Sequence, residues 1–337
     1  MSIPIPSNVT SGSIITSDIN KRTLRQRIMD NRWIYVFMLP SLILTAMFTL
    51  YPIIASAYYS FFQWSGFTSA PYYIGIANYQ EVIGDAQFWN AFKNSFVFML
   101  TSVPIKLTLA LIIAIVLNDR ALRLAPIFRT MFFVPVVTTT AIVGIVMTFI
   151  LSPFNGPINL ALMDLGLVNR PIDFLGDPKV SLFAVVGVEI WKWLGNPMIY
   201  WLAALQTIPE TLYEAAEVDG ANWWRKFFFI TLPLIRPFAV VILLITAVGT
   251  LNVFALVQTM TQGGPFFASE VMEVYIYRTA FGAANSMTLP RIGYASAAAV
   301  FFGLAVMVIA ILQFVAARWA NREKAGIAAA ETTREDI

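Results

Sequence analysis

Four carboxylates stand close together at Glu210, Glu214, Glu217 and Asp219, and two bases follow at Arg225 and Lys226. They belong to the stretch "TIPETLYEAAEVDGANWWRKFFFITLP", residues 207–233. Carboxylates one helical turn apart accept charge-assisted hydrogen bonds from a basic partner. They have no thiolate nucleophile or imidazole to work with, because the sequence contains neither Cys nor His. Disulfides, thiolate catalysis, Cys/His metal sites and imidazole acid–base chemistry are therefore excluded. Elsewhere, charges of interest fall inside apolar runs. Glu189 and Lys192 in "VEIWKWLGNPMIYWL" are three apart, a spacing that lets them pair and lowers the cost of both charges in a membrane. Lys106 is expected to snorkel or to face the bundle interior, and nothing in the sequence gives it a role.

The elements that must position these groups follow from composition. The 337 residues are 58% hydrophobic and only 12% charged, against roughly 45–50% apolar and about 25% charged in soluble domains. That is the balance of an all-α, polytopic membrane protein. Six runs exceed the ~20 apolar residues a spanning helix needs: 34–61, 89–117, 127–151, 181–206, 234–259 and 291–316. Their surplus length implies tilt or extension beyond the bilayer, and the backbone's need to satisfy itself in lipid makes them helices. With both termini inside, the inner side holds Lys21, Arg22, Arg25, Arg27, Arg32, Arg120, Arg123, Arg129, Arg225, Lys226, Arg236, Arg318, Arg322, Lys324 and Arg334. The outer side holds only Lys93, Arg170, Lys179, Arg278 and Arg291. The positive-inside rule then puts both termini and the acidic stretch in the cytoplasm.

The expected organisation is a polar N-terminal tail (1–33), a membrane domain (34–316) and a polar C-terminal tail (317–337). No signal-peptide run precedes the first span, so the N-terminus is expected to be retained. The basic piece "KRTLRQRIMDNRW" reads as an anchor on anionic lipid. Outer loops at 62–88, 152–180 and 260–290 carry turn chemistry, "SPFNGPIN" and "TQGGP" among it, and the last also holds a mixed, helix-like piece.

The stretch 207–233 reads as two short helices joined by a turn. Pro209 suits a first helical turn with Glu210 near its positive end. Gly220 can take the left-handed conformation that ends a helix. Asn222 can cap a second helix from Trp223 to Ile230, and Pro233 is expected to break or redirect the chain. Small residues at Ala215 and Ala216 allow close approach by another surface. Composition leaves two readings open: a docking element for a partner, or a solvated loop with a helix on the membrane surface.

Glu214-Ala215-Ala216, Gly220, Ile230 and Leu232-Pro233 match, without a gap, the EAA signature of binding-protein-dependent ABC importer permeases. Asp219 and Ala221 beside Gly220 are similar to the carbohydrate-uptake branch. "MLPSLILTAMFTLYPIIASAYYSF", "WLGNPMIYWLAALQTIP" and "FALVQTMTQGGP" extend the resemblance to the maltose-type permeases, over roughly residues 33–316.

The resemblance implies that 207–233 is a coupling loop seated in a cleft of an ABC ATPase, with Glu214 contacting a basic residue there and Gly220 making the turn. It implies two copies of that ATPase, which bind ATP and Mg, and a second homologous permease, a different chain. It further implies an external solute-binding protein, a sugar substrate and a bacterial inner-membrane location, with no nucleic acid. This chain has no Gly-Lys dipeptide and hence no Walker-type cradle. It is expected to bind no cofactor and to be no enzyme, its work being alternating access.

A sugar path needs buried polar groups and aromatic faces. In the fourth run Trp191, Gly195 and Met198 fall on one face, with Lys192, Asn196 and Ile199 beside it; Trp193 adds a second indole. In the fifth, Gly249, Thr250 and Asn252 interrupt an apolar stretch. The resemblance places sugar contacts on Leu194, Gly195, Met198, Gly249, Leu251 and Asn252; Met198 stands where the maltose permease has an aromatic residue. From the residues alone, the two tryptophans serve equally as packing anchors, and Asn252 as an interhelical hydrogen bond. The alternative class is an ion-coupled secondary transporter or channel, which would show paired intramembrane acids or an inverted repeat. One candidate ion pair and no clear repeat are present.

Overall fold

The computed structural model describes residues 32–66, 70–119, 122–282 and 289–335. Most of the basic N-terminal piece therefore lies outside the described residues. The chain separates into two compact units, residues 1–56 and 57–337. Helix α1 covers Arg32–Tyr59, with Pro40 inside it and a π-turn at Ala46–Leu50. Its apolar side chains are exposed from Trp33 to Ile54, as expected of a helix that faces lipid or another chain.

The second unit begins with a short antiparallel ribbon, β1 (Phe62–Gln63) and β2 (Tyr72–Tyr73), with Phe62 opposite Tyr73. Helices follow: α2 (Ala77–Gly84), α3 (Ala86–Asn118), α4 (Ala125–Val137), α5 (Thr140–Ile150), α6 (Pro157–Asp164), α7 (Ser181–Trp193) and α8 (Gly195–Leu205). Then come α9 (Glu210–Val218), α10 (Trp223–Thr250), α11 (Phe254–Met260), α12 (Met272–Phe281) and α13 (Ile292–Glu335). The architecture is an all-helical membrane bundle. Among the described residues, four helices are long and apolar enough to cross a membrane: α1, α3, α10 and Ile292–Ile311 of α13. A fifth arises if α4 and α5, bent by 98° at their junction, form one broken span.

Three expected runs are thus corrected. The run 127–151 breaks at Thr138 and Thr139, both extended, where the Thr138 hydroxyl turns back to the Pro135 carbonyl (2.6 Å). The run 181–206 is two helices meeting at Leu194, just before Gly195 and Pro197. The run 234–259 stops at Thr250, whose hydroxyl bonds back to the Thr246 carbonyl (2.8 Å). Helix α11 then starts afresh, capped from a distant element: the Phe254 N–H donates to Glu273 (2.6 Å). The last helix also runs past 316, to Glu335.

Helix α3 is the spine and packs on α7, α8, α10 and α12. Three buried clusters lie along it. One joins Phe98 to α5, α7 and α11. Another joins Phe88, Met99 and Val103 to α12 and α13. The third joins Ala110, Ala114 and Leu117 to α8 and the start of α10. Small residues at Ala110 and Ala114 allow the close helix approach that membrane bundles favour. The large apolar side chains left exposed, such as Leu100, Ile112, Phe149 and Ile245, need lipid or protein against them.

Candidate functional site

The acidic stretch folds as the residue types dictate. Pro209, extended, precedes α9 as its cap. The helix ends in a Schellman arrangement: the Ala221 N–H reaches the Ala216 carbonyl (2.8 Å) and the Gly220 N–H reaches that of Glu217 (3.0 Å). Gly220 has φ +73, a conformation in which a side chain would be strained. Asn222 caps the next helix by accepting from the Arg225 N–H (2.9 Å). Two contacts join the helices: Lys226 Nζ to Glu217 (2.6 Å) and the Tyr213 hydroxyl to that of Thr231 (2.9 Å). Glu214, Ala215, Asp219 and Gly220 are exposed, Ala216 and Ala221 half-buried. Ile230 packs with Tyr213 on the third buried cluster, while Leu232 and Pro233 are exposed.

Pro233 does not break the chain there. Helix continues through it, with a π-turn at Phe227–Thr231 just before. Proline removes one N–H and crowds the carbonyl four residues back; widening the preceding turn accommodates both.

Helices α3, α7, α8 and α10 line a half-open hollow of about 170 Å³, at which Tyr200, Ile245 and Gly249 are exposed. Its lining includes Lys106, Glu189, Trp193, Asn196, Tyr200 and Gly249. Lys106 and Glu189 form a buried ion pair, 2% and 3% exposed. Ser102 donates to the other oxygen of Glu189, and Lys106 Nζ donates to Thr250 Oγ1 (2.9 Å). The spacing of Glu189 and Lys192 suggested that they pair with each other, and this is corrected. Lys192 instead donates to the Pro135, Val136 and Thr138 carbonyls at the end of α4 (3.2, 3.4 and 3.0 Å). Its ammonium also lies 4.3 Å from the Trp193 ring centre. A helix C-terminus carries partial negative charge and so compensates the cation.

Of the residues expected along a solute path, Trp193, Asn196 and Gly249 meet at this cavity. Leu194, Met198 and Leu251 are buried in packing instead. Gly195 serves a close helix contact, since a Cβ there would stand 2.6 Å from the Phe132 carbonyl oxygen. Trp191 is exposed, whereas Gly195 and Met198 are buried. Asn252 is exposed and bonds back to the Val248 carbonyl (3.2 Å). Thr250, named among the positions that interrupt the fifth run, lines the hollow as well, whereas sequence reasoning missed Lys106. An ionisable residue within an apolar run was the available signal for Lys106.

The opposite end of the bundle is held by charge. Asp85 caps α3 by accepting from the Gln87 N–H (2.7 Å). It also accepts from the hydroxyls of Tyr275 (2.5 Å) and Tyr294 (2.8 Å). Burial pushes the Asp85 carboxyl up, but the tyrosine and backbone hydrogen bonds outweigh it, so it lies below the ordinary carboxylate value. Glu270, paired with Arg278 (2.8 Å), and Glu273 are both pushed up, chiefly by burial. The "TQGGP" segment is a folded turn whose Gly264 N–H reaches the Thr261 carbonyl (2.9 Å). Asn94 of α3 ties down the following Glu270 carbonyl (3.0 Å).

Exposed apolar faces, buried ion compensation and long apolar helices define a polytopic helical membrane protein. Residues 94–324 match the family described as binding-protein-dependent transport system inner membrane component, and the chain belongs to that family. It is accordingly a non-catalytic, multi-pass component of an inner-membrane transport system. It is 33% identical to the lactose transport system permease protein LacF of Rhizobium radiobacter, over 89% of this chain and 98% of that one. Identity with the probable ABC transporter permease YurN of Bacillus subtilis is 34%, over 83% and 94%. Among solved structures, it superposes on a bacterial ABC transporter involved in import of the acidic polysaccharide alginate. The TM-score there is 0.73 at 27% identity, covering 88% of this chain and 98% of that one.

Proposed function

We propose that this chain is the permease subunit of an ATP-driven importer for a sugar or sugar-like solute. It forms half of a six-span translocation path with both termini cytoplasmic. A second, different permease supplies the other half, and an external binding protein delivers the solute. Relatives are named for lactose and for arabinooligosaccharides, and the alginate transporter was crystallised with a sugar-loaded periplasmic protein. Its parts are an N-terminal tail (1–33), a membrane domain (34–316) and a C-terminal tail (317–337), with the last helix continuing from the membrane domain into that tail.

The observation that carries the coupling role is the stapled pair α9 and α10. Glu214 and Asp219 are free on its surface side, while Tyr213 and Ile230 press on the cluster that also holds Leu194 and Met198. A push on the loop is thereby transmitted by packed side chains to the helices around the cavity. Glu214, with Ala215, Ala216 and Gly220, meets a partner ATPase, which binds ATP and Mg.

The experiment is co-purification with that ATPase and the binding protein, reconstituted in vesicles. Glu214→Ala should lower solute-stimulated ATP hydrolysis at least about tenfold, the worth of one charge-assisted contact. Gly220→Pro should abolish it, since proline cannot reach φ +73. Uptake driven by an ion gradient without any ATPase would reject the proposal.

A further inference from the structure

We infer that Lys106, Glu189 and Thr250 form a recognition site for one neutral, polyhydroxylated ring, and that the Lys106–Glu189 pair sets which solute charge the cavity admits. This rests on the import reading above and specifies its solute.

The argument begins with hydrogen-bond capacity. An ammonium carries three donors. On Lys106, Glu189 and Thr250 take two of them. A carboxylate offers about four acceptor positions, and Ser102 and Lys106 occupy two on Glu189. One donor and at least one acceptor thus remain on two buried groups that line this half-open hollow. A pair of neighbouring hydroxyls, each both donor and acceptor, completes both.

Charge points the same way. The pair is neutral as a unit, so a solute carrying net charge would add an uncompensated ion inside the bundle. The remaining lining is suited to the less polar face of a ring: Trp193, Tyr200, Pro197 and Ile245. At Gly249, no atom lies within 4 Å of where a Cβ would stand, so that wall stays open. The volume of about 170 Å³ falls below the roughly 300 Å³ at which drug-sized pockets begin. The part of a solute that reaches Lys106 and Glu189 is accordingly about one ring, and the rest extends through the open side of the hollow. The competing view is that the pair merely locks α3, α7 and α10 together.

The test measures binding to the assembled transporter in nanodiscs, without nucleotide or binding protein. Its readout is the tryptophan emission change that Trp193→Phe removes. Neutral probes are lactose, raffinose and xylose; anionic probes are sn-glycerol 3-phosphate and galacturonate. At least one neutral probe should produce the signal in the wild type, and neither anion should. Glu189→Gln leaves Lys106 unpaired and should shift relative affinity toward the anions at least about tenfold. The double variant Lys106→Met/Glu189→Gln restores neutrality without the charged groups and should weaken the neutral probe at least about tenfold.

Thr250→Val, which leaves both charges in place, should weaken neutral binding severalfold without altering charge preference. Chromatographic profile and melting temperature report folding. Should a charge variant fail to fold, the wild type and Thr250→Val decide the matter.

Silence of the wild type toward every neutral probe overturns the inference. So does a double variant or Thr250→Val that binds as the wild type does, or an unchanged charge preference in Glu189→Gln. Because no ATP enters the measurement, lost import with intact binding of a neutral probe counts against the import reading alone. Intact import with unaltered binding in these variants counts against this site alone.

Discussion

Lys106, Glu189 and Lys192 are buried between helices, and the bundle neutralises them in two ways. Lys106 and Glu189 neutralise each other across α3 and α7. Among the described residues Lys192 meets no carboxylate; it closes the carbonyl end of α4, where that helix turns by 98° into α5. Lys192→Met keeps the side chain's bulk and removes its donors, leaving the Val136 and Thr138 carbonyls without that partner. The expected cost is about 2 kcal/mol, read as a lower melting temperature in detergent, with the loss concentrated in proteolytic sensitivity at the α4–α5 bend. An unchanged melting temperature would mean that water replaces the ammonium there. The presence of buried charges was legible in the sequence, but their partners were not. Three residues along a helix turn by about 300°, which leaves the two side chains roughly 60° apart. That gap is enough to aim Glu189 at α3 and Lys192 at α4, and only tertiary packing decides between such neighbours.

At the level of elements, local chemistry spoke plainly where the interaction was local. Gly220 ends α9 and Asn222 starts α10, as the residue types required. Pro233 misled because its cost was absorbed by a π-turn upstream, and the end of α10 misled because Glu273 caps α11 from nineteen residues away. Asp85 shows both kinds of contact. Its bond to the Gln87 N–H is a local cap, whereas its bonds to Tyr275 and Tyr294 fasten α12 and α13 to the start of α3.

The lowered value at Asp85 makes that fastening pH-dependent. A carboxylate depressed in the folded state stabilises fully above its unfolded value, near about 3.9, and that stabilisation is lost as pH falls through the lower folded value. Asp85→Asn should therefore lower the melting temperature at neutral pH. The gap between variant and wild type should narrow as melts are repeated below about pH 4. Glu270 and Glu273 shift the other way, so the comparison must be made between the two proteins and not on the wild-type curve alone. A gap independent of pH would assign the effect to lost cap geometry.

For the molecule as a whole, two sets of elements mark opposite ends of the second unit. Asn118, Leu122, Gln206, Glu210 and Trp223 gather around one open cavity of about 890 Å³. The Asp85 network and the Glu270–Arg278 pair gather at the other end of α3. Under the orientation proposed above from the distribution of Lys and Arg, the first end faces the cytoplasm. Nothing in a hydropathy pattern could have shown that two of the runs are broken helices, since a break costs backbone hydrogen bonds that neighbouring helices then supply. The orientation can be tested directly, because the sequence has no Cys and every introduced thiol is unique. Gln206 and Leu167 are both exposed and lie in loops at the two ends. A membrane-impermeant maleimide applied to intact spheroplasts should label Leu167→Cys and spare Gln206→Cys until the membrane is permeabilised. The reverse pattern would place α9 outside the cell, where no ATP-driven partner could reach it. Labelling of both before permeabilisation would mean that the number of crossings between residues 167 and 206 is even, and the broken pair α7 and α8 would then be a re-entrant element instead of a span.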